Sequence, residues 1–186
     1  PKLGLDNYTI GYIGRLVNEK GVMDLLGAVS KLKRKVNFLL VGDGELRHKI
    51  TIEGRRLGIS EQIRIVDAIP SSQVPEYLNC MDCLVLPSRT TKKWKEQFGR
   101  VLIEAMACKV PVIGSDSGEI PNVIGDCGLI FREGNVNDLA SKLELLINDY
   151  DLRVELAERG RQRVLKHFTQ EKVAKETYKI YQKMLS

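Results

Sequence analysis

The sequence predicts an α/β fold: a parallel sheet of about six strands, helices on both of its faces, and further helices closing the chain. Three observations carry this. Short apolar segments alternate with longer ones whose apolar residues recur at helical spacing. The strand segments are near-continuous apolar runs, as expected when both faces of a sheet are covered. The 186 residues suffice for one domain with a full core, and no repeat, low-complexity segment or internal linker interrupts them.

Residues 8–14, TyrThrIleGlyTyrIleGly, read as the first strand, β-branched and ending in Gly. Gly21 to Lys33 is helical, with Val22, Leu25, Leu26, Val29 and Leu32 on one face. The cations at 31–35 fall at its end, where they complement the helix dipole. Residues 36–42 form a second strand. Gly44 to Leu57 reads as helix, with Gly58 as its stop. Residues 63–66 are a third strand. A short helix runs from Ser72 or Gln73 to Asn79, with Ser71 and Ser72 as capping candidates and Pro75 in its first turn.

Residues 83–87 are the fourth strand, followed by a loop that carries Trp94. A helix from about Gly99 to Cys108 and a strand at 110–114 come next. Gly118 to Gly125 reads as a turn-rich connection and 127–131 as the sixth strand. Asn137 or Asp138 caps a helix to Asn148. Asp151 to His167 and Gln170 to Leu185 are the closing helices. Asp149-Tyr150-Asp151 is formally D-x-D, but at a helix junction it reads as a capping segment. Such a Rossmann-like sheet binds ligands beyond the carboxyl ends of its strands. The positions to inspect are therefore Gly14-Arg15, Gly42-Asp43-Gly44, Asp67-Ala68, Pro87-Ser88 and Ser115 to Glu119.

Composition narrows the function classes. No apolar run approaches a bilayer span. The start lacks the apolar region of a signal peptide and also an initiator Met, which suggests a piece of a longer protein. The net charge of +5 permits an anionic partner: nucleic acid, an acidic membrane surface or a phosphate-bearing ligand. A nucleic-acid binder would need a recognisable module and interleaved aromatics, which the sequence lacks. The pair Cys80 and Cys83 has no second pair at zinc spacing, so free thiols in a reducing cytoplasm are favoured over a metal or redox pair. His48 and His167 sit in polar helical contexts. No His/Cys/Asp cluster resembles a metal site.

The stretch from Glu96 to Pro111 is the anomaly. Glu104 interrupts an apolar run from Val101 to Ala107, and a carboxylate buried there needs a partner. A salt bridge near the helix start accounts for it as well as a ligand does. Gly99 leaves the first amides of this helix uncovered, so they can receive an anion. After the first strand, Arg15 and Lys20 flank a turn; together they suit a diphosphate, or they are solvated loop cations. Gly42 and Gly44 permit close approach of a ligand, or simply a tight turn. Neither of the common phosphate loops is present.

Glu96 and Glu104 match the E-x7-E motif of retaining glycosyltransferases. GlyArgLeuValAsnGluLysGly, LeuLeuValGlyAspGlyGlu, ValLeuProSer, GluGlnPheGlyArgValLeuIleGluAlaMetAlaCys, ProValIleGlySerAspSerGlyGluIlePro and AspCysGlyLeuIlePhe follow one another in order. Together they resemble the C-terminal, nucleotide-sugar-binding domain of family 4 (group 1) glycosyltransferases, which have the GT-B fold. The resemblance spans about Ile10 to Phe131, and the closing helices fit it. It implies that Arg15 and Lys20 hold the donor diphosphate and that Glu104 accepts from the ribose hydroxyls. Glu96 would lie beside the donor sugar, and Phe98, Gly99 and Arg100 would form the loop and helix start facing the distal phosphate. It implies a UDP-, GDP- or ADP-sugar donor, no cofactor, and a retaining, metal-independent hexosyltransferase-like reaction. The whole of residues 1–186 would be one donor-binding domain. The acceptor site would lie in an N-terminal domain outside this chain, and the chain alone would transfer no sugar. Peripheral membrane contact of the whole enzyme is compatible with the basic balance. The alternative is a non-catalytic nucleotide- or phosphate-binding module on the same fold, against which the intact Arg15, Lys20, Glu96 and Glu104 argue.

Two departures stand out. Lys109 occupies a helix C′ position where the family usually has Gly, which predicts left-handed backbone at a non-Gly residue. Asn122 stands where a Glu is frequent.

Overall fold

The computed structural model describes residues 3–185. Six parallel strands lie in the order β3-β2-β1-β4-β5-β6. They are β1 (Thr9–Ile13), β2 (Asn37–Val41), β3 (Ile63–Val66), β4 (Cys83–Leu86), β5 (Val112–Ser115) and β6 (Leu129–Phe131). The helices are α1 (Val22–Val29), α2 (Arg47–Arg56), α3 (Val74–Leu78), α4 (Arg100–Ala107), α5 (Ile120–Ile124), α6 (Val136–Asn148), α7 (Tyr150–His167) and α8 (Gln170–Leu185). The strand order reverses between β1 and β4, so a crevice opens there at the carboxyl ends.

Each strand feeds two cores because successive side chains point to opposite faces. On one face Ile10, Tyr12, Phe38, Leu40, Cys83, Val85 and Ile113 pack with α1, α2 and α6. On the other Leu39, Val41, Leu84, Leu86 and Val112 pack with α3, α4 and α5, and Val164 of α7 joins them. The strand runs are therefore apolar throughout, as the sequence reading required.

The differences from that reading have local causes. The Gly118–Gly125 segment contains α5, whose Pro121 sits in the first turn, where its missing N–H costs nothing. The first helix stops at Val29, and residues 31–35 lie beyond it as turn, bend and irregular chain rather than as its last turn. Asn135, not Asn137 or Asp138, caps α6, its side chain accepting from the Asp138 amide. Asp149 caps α7 through the Leu152 amide at 2.9 Å. The fifth strand begins two residues late, at Val112, after Pro111.

Lys109 is left-handed, with φ 58°, the only non-glycine with positive φ among the described residues. Its amide bonds Met106 O and that of Val110 bonds Ala105 O, which closes α4 as a Schellman motif. The four cysteines are free thiols. Burial pushes the Cys83 thiol up to about 12, so it stays protonated and inert.

Candidate functional site

A cavity of about 460 Å³ opens at the switch point. Its walls come from the end of β1 (Tyr12, Ile13, Gly14, Arg15), from Lys20, from the loop before α4 (Glu96, Gly99) and from α4 itself (Arg100, Val101, Glu104). Ile69, Ser71 and Val74 close the far side. An apolar extension lined by Ile13, Gly42, Asp43, Ala68 and Ile69 adjoins it.

The β1 wall is built from backbone. Tyr12 Oη donates to Arg15 O at 2.7 Å, which fixes the turn after Gly14. Burial, and after it the charge of Glu96, hold the Tyr12 phenol well above its ordinary value, so it remains a neutral donor. Leu16 N bonds Asp43 O, and Leu46 N bonds Leu16 O, so the loops after β1 and β2 are zipped together. This explains two of the glycines. A Cβ on Gly42 would lie 2.0 Å from Gly14 O, and one on Gly44 would lie 2.4 Å from Leu16 O. Gly42 lines the apolar extension; Gly44 lines neither space and serves the loop contact.

Lys20 closes a short 3-10 turn, Asn18–Lys20, and reaches back to Glu96 Oε2 at 2.6 Å. Glu96 is 8% exposed. The same oxygen accepts from the buried Ser88 Oγ at 2.8 Å, and Ser88 O accepts from the buried Ser115 Oγ at 2.6 Å. The Glu96 carbonyl accepts from the Glu119 amide at 3.0 Å, over Gly118, where a Cβ would lie 2.0 Å from that carbonyl. Arg89 forks onto the buried Asp24 of α1. Its amide bonds Glu19 O beside Lys20. The loop after β4 is thus tied to α1, to β5 and to the Lys20 turn.

The α4 side differs from expectation. Glu104 is not the buried carboxylate: its side chain is 30% exposed and pairs with Arg100 Nε one turn earlier, at 3.1 Å. Helical spacing turns Leu102, Ala105 and Met106 into the core and leaves Arg100, Val101 and Glu104 on the cavity rim. The salt-bridge reading of Glu104 therefore holds alongside its place on the cavity. Gly99, with φ 75°, starts the helix without a side-chain cap. Phe98 stands apart, its ring edge-on to Phe168 at 5.7 Å and absent from the cavity walls. Arg15 reaches the cavity but is mostly exposed, 3.4 Å from Glu19.

Sequence reasoning missed Ser88, Ser115, Tyr12 and Arg89. The first two sat at strand ends already singled out, but their type carried no chemical signal; Tyr12 looked like strand packing. Among the described residues, no group of three or more His, Cys, Asp or Glu is placed to hold a metal. No helix there is long and apolar enough to cross a membrane. His48 and His167 are exposed.

Fold and cavity together define a doubly wound α/β domain with a crevice at the switch point. Residues 1–163 match the family described as glycosyl transferases group 1, and the chain belongs to that family. It is 33% identical over 189 residues to the capsular polysaccharide biosynthesis glycosyltransferase CapM of Staphylococcus aureus, covering 99% of this chain and 48% of CapM. The chain spans about half the length of the curated relatives it matches. The C-terminal domain of the group 1 glycosyl transferase LpcC from Francisella tularensis superposes with TM-score 0.78 at 26% identity, covering 88% of this chain and 87% of that one. Anabaena HepE, solved in complex with UDP, superposes with TM-score 0.85 at 21% identity over 96% of this chain and 49% of its own. These neighbours place the architecture as one half of a GT-B fold.

Proposed function

We propose that the chain binds the nucleoside diphosphate-sugar donor of a retaining glycosyltransferase whose acceptor site lies in a further domain. The observation that carries this is the convergence of Arg15, Lys20, Glu96, Arg100, Glu104 and the Gly99 helix start on one cavity. Arg15 and Lys20 hold the diphosphate, the first as a fork and the second as a point charge. The uncovered amides at Gly99 and Arg100 face its distal end. Glu104 accepts from the ribose hydroxyls and Glu96 from the sugar. During transfer, charge grows on the departing diphosphate, and these cations and amides stabilise it without a metal ion.

Support comes from the family assignment and from relatives about twice this length, which leave room for a second domain. The LpcC domain, crystallised by itself, is a precedent for a unit of this extent. HepE's complex with UDP makes UDP the first probe. The free thiols suit a reducing cytoplasm.

Calorimetric titration with UDP, GDP and ADP tests the reading. One of the three binds, and the chain alone hydrolyses or transfers no sugar at enzyme-like rates. No binding by any of them would remove the donor role; rapid transfer would remove the second domain.

A further inference from the structure

Trp94 is the only tryptophan of the chain. It lies in the loop between β4 and α4, where it either covers a ligand or packs its own loop. The geometry gives it a third task. The Lys20 ammonium lies 4.6 Å from the centroid of its ring and 2.6 Å from Glu96 Oε2. Only 17% of the lysine side chain is exposed. Lys20 and Glu96 line the cavity and Trp94 does not, so the ring meets the cavity through Lys20. The loop holds the ring there by its own bonds: Thr91 N donates to Trp94 O at 2.7 Å, and Trp94 N to Thr91 Oγ1 at 3.0 Å.

We propose that Trp94 is a positioning residue for Lys20, holding its ammonium ready for the diphosphate while leaving its positive charge intact. This rests on the donor-binding reading above. An ammonium carries three donors and no acceptor, and Glu96 takes one of them. Glu96 already balances the single lysine charge, so a second carboxylate in the ring's place would make the cluster net negative and repel a diphosphate. An aromatic face instead attracts the cation through its quadrupole, most strongly when the cation is desolvated. The flexible lysine stem loses its rotamer freedom on folding, so that cost no longer falls on binding.

Calorimetry with UDP, GDP and ADP on the chain and on Trp94→Tyr, Trp94→Phe and Trp94→Leu tests this. The same series is repeated in a Lys20→Met background, carried to millimolar nucleotide and read by NMR shifts so that weak binding is still measured. Affinity should fall from Trp through Tyr and Phe to Leu, by about five- to tenfold at Leu. The series should collapse to one affinity once Lys20 is replaced. In the free protein, Lys20→Met should also shift the Trp94 emission. A Leu variant that binds like wild type overturns the proposal. So does a series that persists undiminished without Lys20, because the ring would then act on the ligand or the loop directly. Failure of the wild type to bind any of the three overturns the donor-binding reading and this one with it.

Discussion

Glu96 and Glu104 are the same residue type, eight positions apart on the walls of one cavity, and the fold treats them in opposite ways. Glu96 is buried and held from three elements: Lys20 from the β1 side, Ser88 from β4, and the Glu119 amide beyond β5. Glu104 is partly exposed and has a single ion pair, to Arg100 within its own helix. The loop carboxylate belongs to a fixed frame, whereas the helix carboxylate can exchange its partner for a ligand at little cost. Burial, not motif membership, therefore decides which of the two matters for stability.

Substitutions can break or sharpen that contrast. Glu96→Ala strands the poorly exposed Lys20 cation and should cost about 3 kcal/mol. In thermal melts that is a fall of roughly 6–12 °C for a domain of this size. Ser88→Ala removes a buried donor to the same carboxylate and should cost about 1.5–2 kcal/mol by urea denaturation. At the other end of α4, Lys109→Gly relieves left-handed strain of on the order of 1 kcal/mol and should raise the melting temperature slightly. The Lys109 hydrogen bond holds the Glu158 carboxyl below its ordinary range. That contribution is present above the unfolded-state value and fades as pH falls through the folded one. The gain from Lys109→Gly should therefore be larger in melts at acidic pH than at neutral pH. Smallest of all, Glu104→Ala should change stability by no more than about 0.5 kcal/mol. If Glu104→Ala destabilises as much as Glu96→Ala, the contrast between frame and free carboxylate is wrong.

The fold was legible because doubly buried strands and amphipathic helices leave separate periodicities in the chain. The left-handed Lys109 was legible too, since a helix stop at Cys108 demands it. The five-residue α5 was not: it is too short to set a period, and its proline reads as a breaker. Of the site, Glu96 and Glu104 drew notice by type and spacing and Arg15 and Lys20 by their place after a strand, with solvated cations left open for the pair. Arg100, and the role of each residue, came only from the family resemblance. Their burial was not legible, because it depends on how α4 is rotated and on which loop crosses which. Phe98 turned toward Phe168 for that reason. Ser88 and Ser115 escaped because a serine at a strand end carries no signal until its neighbours are known.

The central claim is that the partly exposed and exposed groups on this cavity grip a nucleoside diphosphate. The most direct test compares the affinity of wild type, Arg15→Ala and Glu104→Gln for whichever of UDP, GDP and ADP binds. Each variant should keep its fold and lose about tenfold in affinity, as expected for one charge-assisted contact. Wild-type affinity in both variants would contradict the claim and place the ligand elsewhere.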